Sequence, residues 1–258
     1  MTNHNIGSNV GSNTRSNSIA NVIRAVVIIA WVLGVVWLLE DDRYRWFIRT
    51  ELWPLLLAAL VMLMLFAYPV LLRRKVTSTG GTTLQRLATA GIMLLPLVYL
   101  VSAPASGLDS YAFTKRLTDH SWAFTGEFSR QGGNIDSATN SPDSPIDLSL
   151  VELGGDISKA DGLLVRLTGR TYRDADTPSG SLVLFRFVIV CCAADSRPTA
   201  IRVDYPGADT VANDSWVEVT GRLRTTSEGD ESVVRIEADS IRPIPPPENP
   251  YLYFETDR

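Results

Sequence analysis

Cys191 and Cys192 are the only two cysteines among 258 residues, and a carboxylate, Asp195, follows three positions later. Thiolates are soft donors, so this trio would hold a thiophilic ion such as zinc or copper if the backbone gathers it. Two sulfurs and one carboxylate leave a tetrahedral site one ligand short. The two histidines, His4 and His120, form no spaced pair, so a ligand from His120 or from a partner would have to complete it. The same neighbours also suggest redox chemistry, because a disulfide between adjacent residues is strained and strained disulfides are the reducible ones. No Cys-x-x-Cys at a helix start is present to acidify a thiol. The plainest use of free cysteine is as a small buried hydrophobe. Asp195 with Arg197 reads equally as a turn carboxylate accepting backbone N–H bonds beside a solvated arginine.

Two adjacent thiols act together only where a strand ends, bulges or turns, since neighbours on a regular strand point to opposite faces. Leu182 to Cys192 is apolar on nearly both faces and is predicted to be the most enclosed strand. The segments around it alternate instead. Val165 and Leu167 alternate with Arg166 and Thr168; Ile201, Val203 and Tyr205 with Arg202 and Asp204. Val217, Val219 and Leu223 alternate with Glu218, Thr220 and Arg222, and Val234, Ile236 and Ala238 with Arg235, Glu237 and Asp239. Five strands in roughly 80 residues, joined by turn-rich segments, predict a small OB-like five-stranded β-barrel over residues 161–244. Gly169 and Gly221, one inside each of two strands, suit the coiling that such a barrel demands.

The first 108 residues obey different rules. Leu52 to Leu72 and Leu87 to Leu108 contain no charged residue, and Ala25 to Leu39 becomes long enough to cross a bilayer if Arg24 snorkels. Three transmembrane helices are therefore expected, at about 22–39, 52–72 and 87–106, within a membrane region of 19–108. The first reads as retained, because Glu40-Asp41-Asp42-Arg43 stands where a signal peptide would need small residues. Residues 1–18 have the composition of a disordered tail, and 109–160 read as connector and linker. Residues 245–258 form a tail of Pro245, Pro246, Pro247 and Pro250 with Tyr251, Tyr253 and Phe254. The fold class is thus an α + β membrane protein, three helices followed by the barrel. Arg73-Arg74-Lys75 places the second loop in the cytoplasm and the carboxy-terminal domain on the other side.

Residues 1–108 carry nine Lys or Arg against four Asp or Glu, and the remainder carries 15 against 24. The acidic half argues against nucleic acid, which needs clustered cations. No Gly-rich phosphate loop, Ser-His-Asp set, nucleophile elbow or His-Glu-x-x-His is present, so an enzyme is not expected and no cofactor is implied beyond the thiophilic ion. Trp216, on the polar side of its strand, with Tyr251, Tyr253 and Phe254 are the candidate partner contacts. The alternative is packing under a loop for Trp216 and folding back onto the barrel for the last three.

Arg186 to Asp195 (Arg-Phe-Val-Ile-Val-Cys-Cys-Ala-Ala-Asp), Trp216 to Gly221 (Trp-Val-Glu-Val-Thr-Gly) and Pro250 to Tyr253 (Pro-Tyr-Leu-Tyr) together resemble the YcgQ-like family of bacterial membrane proteins, described as permease subunits. The resemblance implies a multi-span permease as partner, a lipid bilayer as setting and the bacterial plasma membrane as location. It brings no catalytic residues. The expected function is a non-enzymatic accessory subunit whose extracytoplasmic domain serves partner contact, gating or substrate capture. The alternative is an envelope thiol-based metal or redox sensor using Cys191 and Cys192.

Overall fold

The structure is a computed structural model that describes residues 8–72, 82–102, 107–117, 144–154, 161–228 and 231–253. The chain divides into two compact units, Met1–Tyr44 with Thr50–Ala105, and Arg45–Arg49 with Ser106–Arg258.

The first unit is helical: α1 spans Ser8–Glu40, α2 Trp53–Leu72 and α3 Thr83–Ser102. Three stretches, Ala20–Glu40, Thr50–Pro69 and Leu84–Ser102, are long and apolar enough to cross a membrane. Pro69 and Pro96 sit inside helices, where unpaired carbonyls in an apolar setting leave few alternatives to helix. The indole N–H of Trp31 donates to the Met93 carbonyl at 3.2 Å, joining α1 to α3. Most of the apolar surface stays bare: Leu33, Leu65 and Ile92 are each more than half exposed. Helix α1 begins at Ser8, inside the expected tail 1–18, while its stretch apolar enough to cross a membrane, Ala20–Glu40, agrees with the expected 22–39. Once an apolar segment nucleates a helix, each further polar turn adds a bond at little cost, so composition misplaces that boundary. Residues 1–7 of the expected tail lie outside the described residues.

The second unit contains a closed five-stranded β-barrel. Its strands are β2 (Leu164–Tyr172), β3 (Ser181–Val188), β4 (Arg197–Asp204), β5 (Trp216–Glu228) and β6 (Glu231–Pro243). The order β2-β5-β6-β4-β3 closes through an additional β2–β3 pairing, and only β4–β6 is parallel within the ring. This is the Greek-key connectivity of an OB-type barrel. The alternating residues named above point inward as expected. Val165, Leu182, Leu184, Val203, Val217, Val219, Leu223 and Ile236 are all buried in one core. Closure of so small a barrel needs tight coiling, and both glycines supply it. A Cβ on Gly221 would lie 2.3 Å from the Glu237 carbonyl oxygen, and one on Gly169 would lie 2.8 Å from Leu184 Cγ. The β5–β6 register shifts between Thr220 and Gly221, where the bulge falls.

Segments expected to be connector contribute structure. Helix α4 (Ser110–Leu117) and strand β1 (Ile146–Asp147), which pairs parallel with β2, both fall inside 109–160. Leu150 belongs to the barrel core. Residues 118–143 of that connector, which include His120, lie outside the described residues. Finally β7 (Tyr251–Leu252) pairs parallel with the end of β3.

Candidate thiol turn and the layer behind it

Strand β3 stops at Val188, and the chain then turns sharply around one carboxylate. The Asp195 side chain accepts from the N–H of Val190 at 2.9 Å through Oδ1, and from those of Cys191 at 2.8 Å and Cys192 at 3.0 Å through Oδ2. A 3-10 turn, Ala193–Asp195, follows, with the Asp195 N–H donating to the Cys192 carbonyl. The outward backbone groups are also taken. Arg49 N–H donates to the Cys191 carbonyl at 3.0 Å, Ala193 N–H donates to the Phe47 carbonyl at 2.8 Å, and Ile48 forms an antiparallel bridge with Cys192. From α4, the Arg116 guanidinium donates to the carbonyls of Ala193 and Ser196.

Cys191 is exposed and Cys192 half-buried, and both are free thiols. Their sulfurs and an Asp195 oxygen all lie within 4.8 Å of one another. The turn thus brings together the three residues singled out in the sequence. Joining the two sulfurs to each other is another matter. Adjacent Cα atoms across a trans peptide are about 3.8 Å apart, below the range of about 4.4–6.8 Å that a relaxed disulfide needs. The geometry therefore favours a dithiol over a reversible disulfide.

Burial acts to raise the Asp195 pKa, but the bonds from the Cys191 thiol and the three backbone N–H groups outweigh it and bring it down to about 2. The Cys191 thiol is pushed up to about 12, first by its hydrogen bond to Asp195 and then by its contact with Cys192. Because the folded pKa of Asp195 lies below the unfolded value of about 3.9, its stabilisation is fully present above that value. It fades as the pH falls from about 4 toward about 2. In Asp195→Asn an amide NH2 must face a backbone N–H, which should cost roughly 2 kcal/mol and flatten the acid limb of the stability curve. Iodoacetamide at pH 8 should alkylate Cys191 about tenfold faster or more in this variant, because the thiol returns toward the ordinary range. An unchanged alkylation rate would show that Asp195 does not hold the thiol proton.

The remaining sequence candidates sit elsewhere. Trp216 is buried at 8% exposure, with the Arg170 and Arg186 guanidinium groups 5.8 Å and 5.6 Å from its ring. It packs into the outer side of the barrel wall. Alternation assigned it correctly to the outer side of β5 but could not reveal that this side is covered. Tyr251 is buried too; its hydroxyl donates to the Trp46 carbonyl at 2.7 Å, and burial pushes its pKa up to about 12. Tyr253 packs against the same cluster beneath the Arg49 guanidinium, 4.8 Å from its ring. The tail folds back onto the barrel, and Phe254 lies outside the described residues.

What covers the outer face is a second hydrophobic cluster of Phe113, Phe185, Phe187, Ile189 and Tyr251. Phe113, from α4, stacks on Phe185 with ring centres 4.4 Å apart. Arg186 donates to the carbonyls of Asn249, Pro250 and Tyr251 and so pins the proline-rich segment. Burial pulls its pKa down to about 10. Sequence reading missed Phe113, Arg116, Arg170 and Arg186, because each acts through a partner distant in the chain. The face of the second and third barrel strands, where OB-type barrels commonly hold oligonucleotides or oligosaccharides, is here occupied by the protein's own α4 and β7.

A DUF1980 C-terminal domain is found at residues 150–254, which takes in the barrel, the thiol turn and the returning tail. No curated protein matches the chain. Among solved structures, a Leishmania major Friedlin protein assigned as an aspartyl-tRNA synthetase is similar at 11% identity and a TM-score of 0.26. The match covers 43% of this chain and 23% of that one.

Proposed function

We propose that the chain is a membrane-anchored, non-enzymatic accessory subunit of a multi-span permease, with the barrel unit serving partner contact, gating or substrate capture outside the cytoplasm. The observation that carries it is the bare apolar helix surface. None of the apolar window within Leu84–Ser102 is buried, and only 6% and 11% of those within Thr50–Pro69 and Ala20–Glu40. Such a surface requires lipid or other helices around it.

The division of the chain supports three crossings. Arg45–Arg49 and Ser106–Arg258 form one compact unit, which fits their lying on one side of a bilayer with α2 and α3 leaving and returning as a pair. The Arg73-Arg74-Lys75 cluster between that pair favours the cytoplasm for its turn and thus the outside for the barrel. The permease partner rests on the resemblance to YcgQ-like proteins of the bacterial plasma membrane. The covered outer face of β3 and β4 fits a module that does not read nucleic acid.

Solubilising native membranes in a mild detergent and isolating the tagged chain should bring down one multi-span protein in fixed stoichiometry. Repeated recovery of the chain alone would overturn the subunit reading. Protease added to sealed right-side-out cells should digest the barrel unit; protection until the cells are permeabilised would overturn the orientation.

A further inference from the structure

We propose that Cys191 and Cys192 bind one soft monovalent metal ion of the cuprous class through both sulfurs, on a turn that Asp195 holds in shape. This inference stands apart from the permease reading. Thiol sulfur is the donor that selects such ions. A thiolate–metal bond is about 2.3 Å, so two sulfurs on opposite sides of one ion span up to about 4.6 Å. The pair here lies within 4.8 Å without rearrangement of the chain.

The donor count decides which ion. Asp195 lies within the same distance, but its two oxygens already accept the N–H groups of Val190, Cys191 and Cys192. Three of its roughly four lone pairs are so engaged, which leaves the two sulfurs as the strong donors, with a negative charge beside them. Zinc asks for four ligands in a tetrahedron, and among the described residues the donors gathered at this turn are these three. A soft monovalent ion is satisfied by two thiolates. Its arrival displaces the two thiol protons to solvent, and no electron is transferred.

The backbone is arranged in advance. Carbonyls and N–H groups on both sides of the pair are held by Phe47, Arg49, Arg116 and Asp195, so little ordering remains to be paid on binding. Exposure of Cys191 gives the ion a route in from water.

The test uses the full chain in mild detergent, anaerobically, with cuprous ion presented from a competing chromogenic chelator. The expected result is one ion withdrawn per chain with two protons released in weak buffer, lost in both Cys191→Ser and Cys192→Ser. Wild-type protein alkylated at both thiols after folding should also take up none, which separates loss of ligands from loss of fold. Zinc presented in the same way should be held at least about 100-fold more weakly. Failure to compete with the chelator, uptake that survives the double substitution, or zinc held as tightly as cuprous ion would each overturn the proposal.

Discussion

Replacing Phe113 with alanine should lower the stability of the barrel unit by about 3–5 kcal/mol, the usual cost of emptying a fully buried aromatic site. Phe113 has no exposed surface, stacks on Phe185 and meets Tyr172 edge-on with ring centres 5.3 Å apart. The expected loss is local first. Helix α4 has eight residues, far too few to persist in water without its packed side chain. Amide exchange across Ser110–Leu117 should therefore rise steeply in Phe113→Ala, while β5 and β6 keep their protection. Arg116 would leave the carbonyls of Ala193 and Ser196 with the helix, so exchange near the thiol turn should rise as well. A denaturation midpoint unchanged by the substitution would mean that α4 contributes nothing to the layer it covers.

Arg170→Ala should cost about 3 kcal/mol or somewhat more, because it strips one partner from an enclosed polar cluster. The Arg170 side chain is 9% exposed and pairs with Asp214 at 3.3 Å. It also donates to the Leu108 carbonyl at 2.9 Å. Asp214 in turn accepts from the backbone N–H of Ser110 at 2.7 Å and from its hydroxyl at 2.6 Å, fastening the start of α4. Removing the guanidinium leaves a carboxylate and a carbonyl without their cation. Arg170→Lys keeps the charge but not the fork that serves two acceptors, so it should recover only part of the loss. Urea denaturation of the detergent-solubilised chain, read by tryptophan fluorescence, tests both; Trp216 beside Arg170 reports the change directly. Equal stability of Arg170→Ala and the wild type would show that Asp214 finds an equivalent partner elsewhere.

The barrel was legible in the sequence because inward and outward residues alternate in β2, β4, β5 and β6, and because Gly169 and Gly221 mark where the wall bends. The enclosed character of β3 was legible for a related reason. Leu182 and Leu184 face one core while Phe185 and Phe187 face another. What the pattern could not disclose was the source of the second layer. Helix α4 is short and its seven neighbours in sequence are mostly polar, so only the position of Phe113 opposite Phe185 gives it meaning. The strand rule made a turn at Cys191 and Cys192 the condition for their acting together, but the apolar run that extended the expected strand to Cys192 misplaced its end. Strand β3 stops at Val188, and Val190 and Cys191 are exposed, because the Asp195 carboxylate draws those N–H groups into the turn. The part played by Phe47, Ile48 and Arg49 was not legible, because no local signal links them to a turn so much later in the chain.

That pairing has a consequence for biosynthesis. The ribosome makes Phe47–Arg49 long before it makes the partner turn around Cys192, so the early segment has no such partner until α2, α3 and β3 have been synthesised. On the three-span reading proposed above, failure of α2 or α3 alone to insert would leave the two on opposite sides of the bilayer, unable to meet. On that reading a short stretch of backbone bonding would act as a proofreading device, completed only in correctly threaded molecules.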